Sequence, residues 1–201
     1  MGPVTRWLIL LNVGIYALQS MAGEVLVAHF ALWPIGRFEV NGLDAEVGFR
    51  VWQLITYAFL HGNLLHLFTN MLALYMFGRD IERQLGTQGF LGLYGAAVLS
   101  AALTQLLVVS LGTNAQPYPT IGASGGVFGV LLAFGMLFPR RMILLIFPPI
   151  PMPAWLFVLA YGVLELTQGV LGTAAGIAHF AHLGGMLGGY LVLRKWRQRG
   201  T

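Results

Sequence analysis

Ser124 stands in Gly122-Ala123-Ser124-Gly125-Gly126, and His182 follows 58 residues later in Ala181-His182-Leu183-Gly184-Gly185. A serine hydroxyl is a weak nucleophile until an adjacent base takes its proton, and histidine is the side chain best suited to that task near neutral pH. Both residues lie in apolar, glycine-rich stretches of a length that enters bilayers, where a titratable side chain is costly and marks a functional site by default. If the two stretches touch, the pair could hydrolyse a peptide bond within the membrane. Taken singly, each signal is weaker. Gly-x-Ser-x-Gly matches a nucleophile elbow only after a strand. No strand is expected here, so Ser124 alone reads as a helix-packing residue. His182 alone could bind a metal, relay a proton or act as a base.

Two ridges of small residues would bring the pair together. Ala181, Gly185 and Gly189 recur every four residues, as do Gly125, Gly129 and Ala133. Such ridges let helix backbones approach closely, and two parallel helices packed on them set Ser124 and His182 at similar depth. A third element, His61-Gly-Asn-Leu-Leu-His66-Leu-Phe-Thr-Asn70, puts His66 and Asn70 on one helix face. An Asn amide, a His N–H and the backbone N–H of Ser124 are the kinds of donor that stabilise a tetrahedral oxyanion. The plainer reading is that His66 and Asn70 tie helices together. A metal on His61, His66 and His182 would lack a carboxylate ligand at that depth, and neither a metal nor another cofactor is expected. Glu165 is the one carboxylate well inside an apolar segment. It reads as a structural hydrogen-bond partner and is assigned no catalytic part.

The elements that must position these residues are membrane helices. Only 9% of the 201 residues are charged, 57% are hydrophobic, and the mean hydropathy is +0.76. Soluble domains carry about 25% charged residues, so the composition marks an integral, all-α, multi-pass membrane protein. The net charge of +4 is no nucleic-acid footprint, because the cations flank apolar segments and form no basic face. There is no cysteine, which excludes disulfides and thiolate metal sites. Six segments approach the roughly 20 residues a span needs: Trp7–Val27, Asn63–Leu85, Gly89–Leu111, Gly122–Phe138, Ala154–Leu171 and Ile177–Trp196. They are expected to form one membrane domain over residues 1–201. With both termini cytoplasmic, nine of the eleven Lys and Arg residues fall inside, and only Arg37 and Arg50 fall outside. The first segment is too long for a cleaved signal peptide and lacks a small-residue cleavage site. The first loop, about Ala28–Gly62, carries Phe30, Trp33, Phe38, Phe49 and Trp52 beside Glu39, Asp44 and Glu46, and is expected to lie partly in the interface. Pro148, Pro149, Pro151 and Pro153 make Met142–Pro153 a non-helical connection.

In this order and spacing, the motifs resemble those of the rhomboid intramembrane serine proteases, in their bacterial-type six-span core form. They are His61 to Asn70, Gly78-Arg-Asp-Ile-Glu82, Gly122-Ala-Ser124-Gly-Gly-Val-Phe-Gly129 and Ala181-His182-Leu-Gly-Gly185-Met-Leu-Gly-Gly189. The resemblance covers nearly the whole chain. It implies Ser124 as nucleophile and His182 as base, with His66, Asn70 and the Ser124 N–H around the oxyanion. It also implies that Glu82 braces the cytoplasmic side and that His61 lines a water-accessible region. Gly122, Gly125, Gly185 and Gly189 support the site. The implied substrates are transmembrane proteins in the lipid bilayer, and the implied location is a bacterial inner membrane. Two positions depart from the family pattern. Phe128 stands where a tyrosine stacks on the catalytic histidine, and Trp52-Gln53 stands where many members have Trp-Arg. A non-catalytic relative that binds or escorts transmembrane helices is the alternative; such proteins usually lack the serine or the histidine. A transporter would show paired halves with broken helices, and no such symmetry is seen. Oligomeric state is left open.

Overall fold

Pro3 opens α1 (Pro3–Phe30), in the first helical turn where a missing N–H is harmless. No side chain of its own caps this helix. Instead the Val4 and Thr5 N–H groups donate to the Glu82 carboxylate, each at 2.9 Å, and the Thr5 hydroxyl donates at 2.7 Å. A carboxylate suits the positive end of a helix dipole, and the buried Glu82 thereby ties α1 to the rest of the molecule. The chain is described here from a computed structural model, over residues 1–39, 46–111, 118–144, 149–171 and 178–199.

After α1 come the short α2 (Gln53–Thr56) and a 3₁₀ turn, Tyr57–Phe59. Asn63 then caps α3 (Leu64–Ala73), its side chain accepting the His66 N–H at 2.8 Å. A π turn at Leu74–Gly78 leads directly into α4 (Arg79–Leu111). This continuous run breaks once, at Gly86, whose φ of 73° and ψ of 168° are not helical. The break divides it near the expected boundary between the second and third apolar segments. α5 (Ser124–Leu137), α6 (Ala154–Leu171) and α7 (His179–Arg199) follow. By length and apolar composition, Pro3–Phe30, Leu64–Leu111 and Ala154–Leu171 can cross a membrane. The fold is all-α and polytopic.

Four expectations change. The Met142–Pro153 connection is not plain loop, because β1 (Met142–Leu144) pairs antiparallel with β2 (Pro151–Pro153), Ile143 facing Met152. Pro151 and Pro153 are compatible with an edge strand; Pro149 precedes β2, and Pro148 lies outside the described residues. Phe30 ends α1 and does not belong to the loop. Trp33 is buried with Ala31, Val47 and Leu60 in a small core of its own, so it is not an interfacial anchor. Asp44 and Ile177 lie outside the described residues. Finally, α5 runs 14 residues, not the 17 of Gly122–Phe138, because Gly122 at φ 129° and Phe138 at φ −126°, ψ 51° both leave the helix.

Gln53 settles how the first loop is anchored without the family's arginine. Its side chain is fully buried. Its Oε1 accepts from the N–H groups of Trp33 and Arg50 at 3.2 and 3.1 Å, and its Nε2 donates to the carbonyls of His29 and Gly48 at 3.3 and 3.2 Å. A neutral amide with all four hydrogen-bonding positions used needs no counter-ion.

The centre of the bundle is α4, α5 and α7. A Cβ on Gly185 would fall 2.0 Å from the Gly125 carbonyl oxygen, and one on Gly189 would fall 2.8 Å from the Gly129 Cα. The far side of α5 meets Ala97 and Ala101 of α4 equally closely. The two glycine ridges therefore pack backbone against backbone.

Candidate active site

Ser124 is the first residue of α5, so its backbone N–H is among those with no partner inside the helix. The turn into it depends on Gly122. With φ at 129°, that residue lies where a side chain is strained, and an added Cβ would fall 2.8 Å from the His66 ring. The Gly122 N–H is pinned to the Tyr57 carbonyl at 3.0 Å. From the neighbouring helix, His182 brings its Nε2 to 2.8 Å from the Ser124 Oγ. The ridge contact between α5 and α7 sets this distance, since the two residues sit beside the Gly125–Gly185 approach.

Phe128, one turn below Ser124, stacks on the His182 ring with centroids 4.3 Å apart and planes 6° from parallel. The ring contact thus persists without a tyrosine hydroxyl. His182 Nδ1 lies 2.9 Å from Glu165 Oε2, and His179 Nδ1 lies 2.7 Å from the same oxygen. An ionised carboxylate oxygen can only accept, so with Glu165 charged both imidazoles would donate from Nδ1. In that tautomer His182 would present its Nε2 lone pair to the Ser124 hydroxyl.

Ser124, His182, His66, Asn70, Gly122 and Phe128 share one cavity of about 860 Å³, walled by α3 on one side and α6 on the other. Asn70 donates from Nδ2 to the His66 carbonyl at 3.0 Å. His66 Nδ1 accepts the Gly62 N–H at a long 3.4 Å, which assigns the ring proton to Nε2, the atom over Gly122. Gly185 and Gly189 lie behind the cavity, in the helix contact. His61 is not in the cavity wall. It is fully buried behind His66, with ring centroids 5.0 Å apart, so it does not line a water-accessible region.

Two residues enter the site that the sequence reading left out of it. His179 was not singled out, and Glu165 was given only a structural part. The signal for both was present as His-x-x-His at 179 and 182, one face of one helix, beside a lone intramembrane carboxylate. Among the described residues, the donor atoms close enough to share a metal ion are those of Glu165, His179 and His182, not those of His61, His66 and His182. Their 2.7 and 2.9 Å separations are hydrogen-bond lengths.

Residues 48–198 match the model of the Rhomboid domain. The chain belongs to the rhomboid family. It is 38% identical to Rhomboid protein 1, mitochondrial, of Saccharomyces cerevisiae, in a match covering 92% of this chain and 56% of that one. It is 29% identical to RHOMBOID-like protein 12, mitochondrial, of Arabidopsis thaliana, over 90% and 55% of the two chains. It is 28% identical to Rhomboid protease GlpG of Yersinia pestis, over 100% and 64%. The chain thus spans less than two thirds of the length of each of these rhomboids.

Proposed function

We propose that this chain is an intramembrane serine endopeptidase, with Ser124 as nucleophile and His182 as general base. The 2.8 Å contact between Ser124 Oγ and His182 Nε2 carries the reading. In the reaction, the Ser124 proton moves to His182 Nε2 as Oγ attacks the scissile carbonyl carbon. The oxyanion that forms is met by the Ser124 N–H, the Asn70 amide and His66 Nε2–H, at the positive end of α5. Collapse of this intermediate breaks the C–N bond, and His182 returns the proton to the departing amine. Water then gives a proton to His182 and attacks the acyl-serine. The carboxyl product leaves, and Ser124 recovers its proton.

The substrates proposed are membrane proteins whose transmembrane segment unwinds into the cavity, since attack needs extended backbone. Helix-weakening residues in the substrate should therefore speed cleavage. The whole stretch 1–201 is proposed as one six-span domain with both termini on the cytoplasmic side. The bacterial inner membrane is the proposed location, and the match of the whole chain to 64% of a rhomboid protease from the bacterium Yersinia pestis favours a bacterial source. The names of the two mitochondrial relatives favour a mitochondrial membrane as the second reading.

The test is covalent labelling of the detergent-purified chain by a fluorophosphonate probe, with excess chelator present. The parent should label, and Ser124→Ala and His182→Ala should not, while all three melt alike. Label retained in Ser124→Ala would overturn the mechanism. A folded parent that stays unlabelled would point to the escort reading.

A further inference from the structure

The sequence reading ended the catalytic chain at His182, yet the structure continues it by two residues. We infer that Glu165 positions His182, holding it in the Nδ1–H tautomer, and that His179 in turn holds the Glu165 carboxylate. The inference rests on the Ser124–His182 reading and adds an acid to it.

The geometry runs in series. Ser124 Oγ lies 2.8 Å from His182 Nε2, and His182 Nδ1 lies 2.9 Å from Glu165 Oε2. A neutral imidazole has one donor and one acceptor nitrogen, and the partner on one decides the other. Facing a carboxylate, Nδ1 must donate. Nε2 must then accept, which is the form a general base needs. Without that oxygen, the opposite tautomer would place an N–H against the serine hydroxyl and stop proton transfer.

His179 argues that the arrangement is more than helix packing. It is 5% exposed and donates from Nδ1 to the same oxygen at 2.7 Å, while its buried Nε2 has no hydrogen-bond partner among the described residues. A buried polar atom left unsatisfied is destabilising. His179 supplies a second N–H to Glu165, which is itself only 6% exposed and needs partners to remain buried. The spacing is economical. His179 and His182 are one turn apart on α7, so both rings face α6 and converge on one side chain. As the Ser124 proton arrives at Nε2, the positive charge developing on His182 finds a fixed negative partner, and the Nδ1 proton stays where it is.

The experiment uses the full chain in micelles, ¹⁵N-labelled at histidine, together with fluorophosphonate kinetics. In the parent, His182 should show a protonated Nδ1 with a strongly downfield N–H proton. Glu165→Leu should move that proton to Nε2 and slow the maximal labelling rate by roughly 10⁴-fold, the scale seen when the orienting acid of a serine protease is lost. Glu165→Gln keeps an accepting oxygen, so the tautomer should persist. Its maximal rate should still fall about 10²-fold, at the lower end of general-base effects, with the half-saturating probe concentration unchanged. A protonated Nε2 in the parent overturns the inference, as does a folded Glu165→Gln that labels within twofold of the parent. If the Glu165 variants do not fold, the parent spectrum still decides. If the folded parent does not label, the hydrolase reading fails, while the histidine spectrum independently decides whether Glu165 sets the tautomer.

Discussion

Asn70 and His61 lie nine residues apart and differ in what they do for the site. Asn70 has an amide hydrogen free of its bond to the His66 carbonyl, so Asn70→Ala should cost roughly 2.7–4 kcal/mol of transition-state binding at most, or about 10²–10³ in rate. Labelling kinetics measure it, and a variant at the parent rate would remove Asn70 from the oxyanion site. His61 is a matter of stability. Burial first, and the neighbouring His66 second, push its pKa down from 6.5 to about 4. The unfolded chain therefore takes up a proton below about 6.5 that the folded chain refuses until about 4. Stability should fall as pH drops through that window and stay level above it. Melting in detergent should show the slope in the parent and a shallower one in His61→Phe, whose backbone bonds to Gln19 are kept; equal slopes would refute this. Ser124 and His182 were legible as a pair because glycine ridges flank each. The link from Glu165 to His179 and His182 was not, because it depends on how α6 and α7 turn toward each other, and separations of 14 and 17 residues do not encode that.

Helix contacts in the bundle depend on which glycines have room. Gly185→Ala would drive a methyl into the Gly125 carbonyl, a backbone atom that cannot swing away. It should destabilise the fold by about 1–3 kcal/mol, as overpacking does, and reduce labelling as α5 and α7 separate. Gly95 on α4 is the control, with nothing within 4 Å of an added Cβ. Gly95→Ala should be neutral or stabilise by up to about 1 kcal/mol. Paired melting curves decide, and equal losses at both positions would refute the ridge argument. Most helices could be read from apolar runs alone. The misreadings arose where one residue's backbone or a distant partner decides. Gly122 postpones the start of α5, and Glu82, 77 residues from Thr5, caps α1 at a point no local pattern marks.

At the scale of the molecule, one end of the bundle is latched by charge. Glu82 holds the start of α1, Asp80 pairs with Arg141 beyond α5, and Arg197 near the end of α7 donates to the Met136 carbonyl at 2.7 Å. Only Thr5, Leu8 and Asn12 of α1 are buried, so its attachment leans on this latch. Glu82→Ala should lower the melting temperature, by about the 0.5–2 kcal/mol of a lost helix cap, and expose α1 to limited proteolysis, with labelling of Ser124 retained. An unchanged melt would show that α1 is held elsewhere. The latch was half legible, since the arginines marked one face but not their partners. The brevity of α5 has a consequence beyond the chemistry. Fourteen residues rise about 21 Å, against a hydrocarbon layer of roughly 30 Å. If the latched end lies at the lipid boundary and α5 runs along the bilayer normal, Ser124 would lie about 9 Å beneath the opposite boundary, near six residues of helical rise. On the proposed endopeptidase reading, such a molecule would act as a depth gauge, selecting a peptide bond by distance from the membrane surface more than by side-chain identity. Mass spectrometry of products formed in short- and long-acyl vesicles should find the cut displaced deeper into the substrate as the bilayer thickens, making lipid thickness a determinant of where a protein is severed.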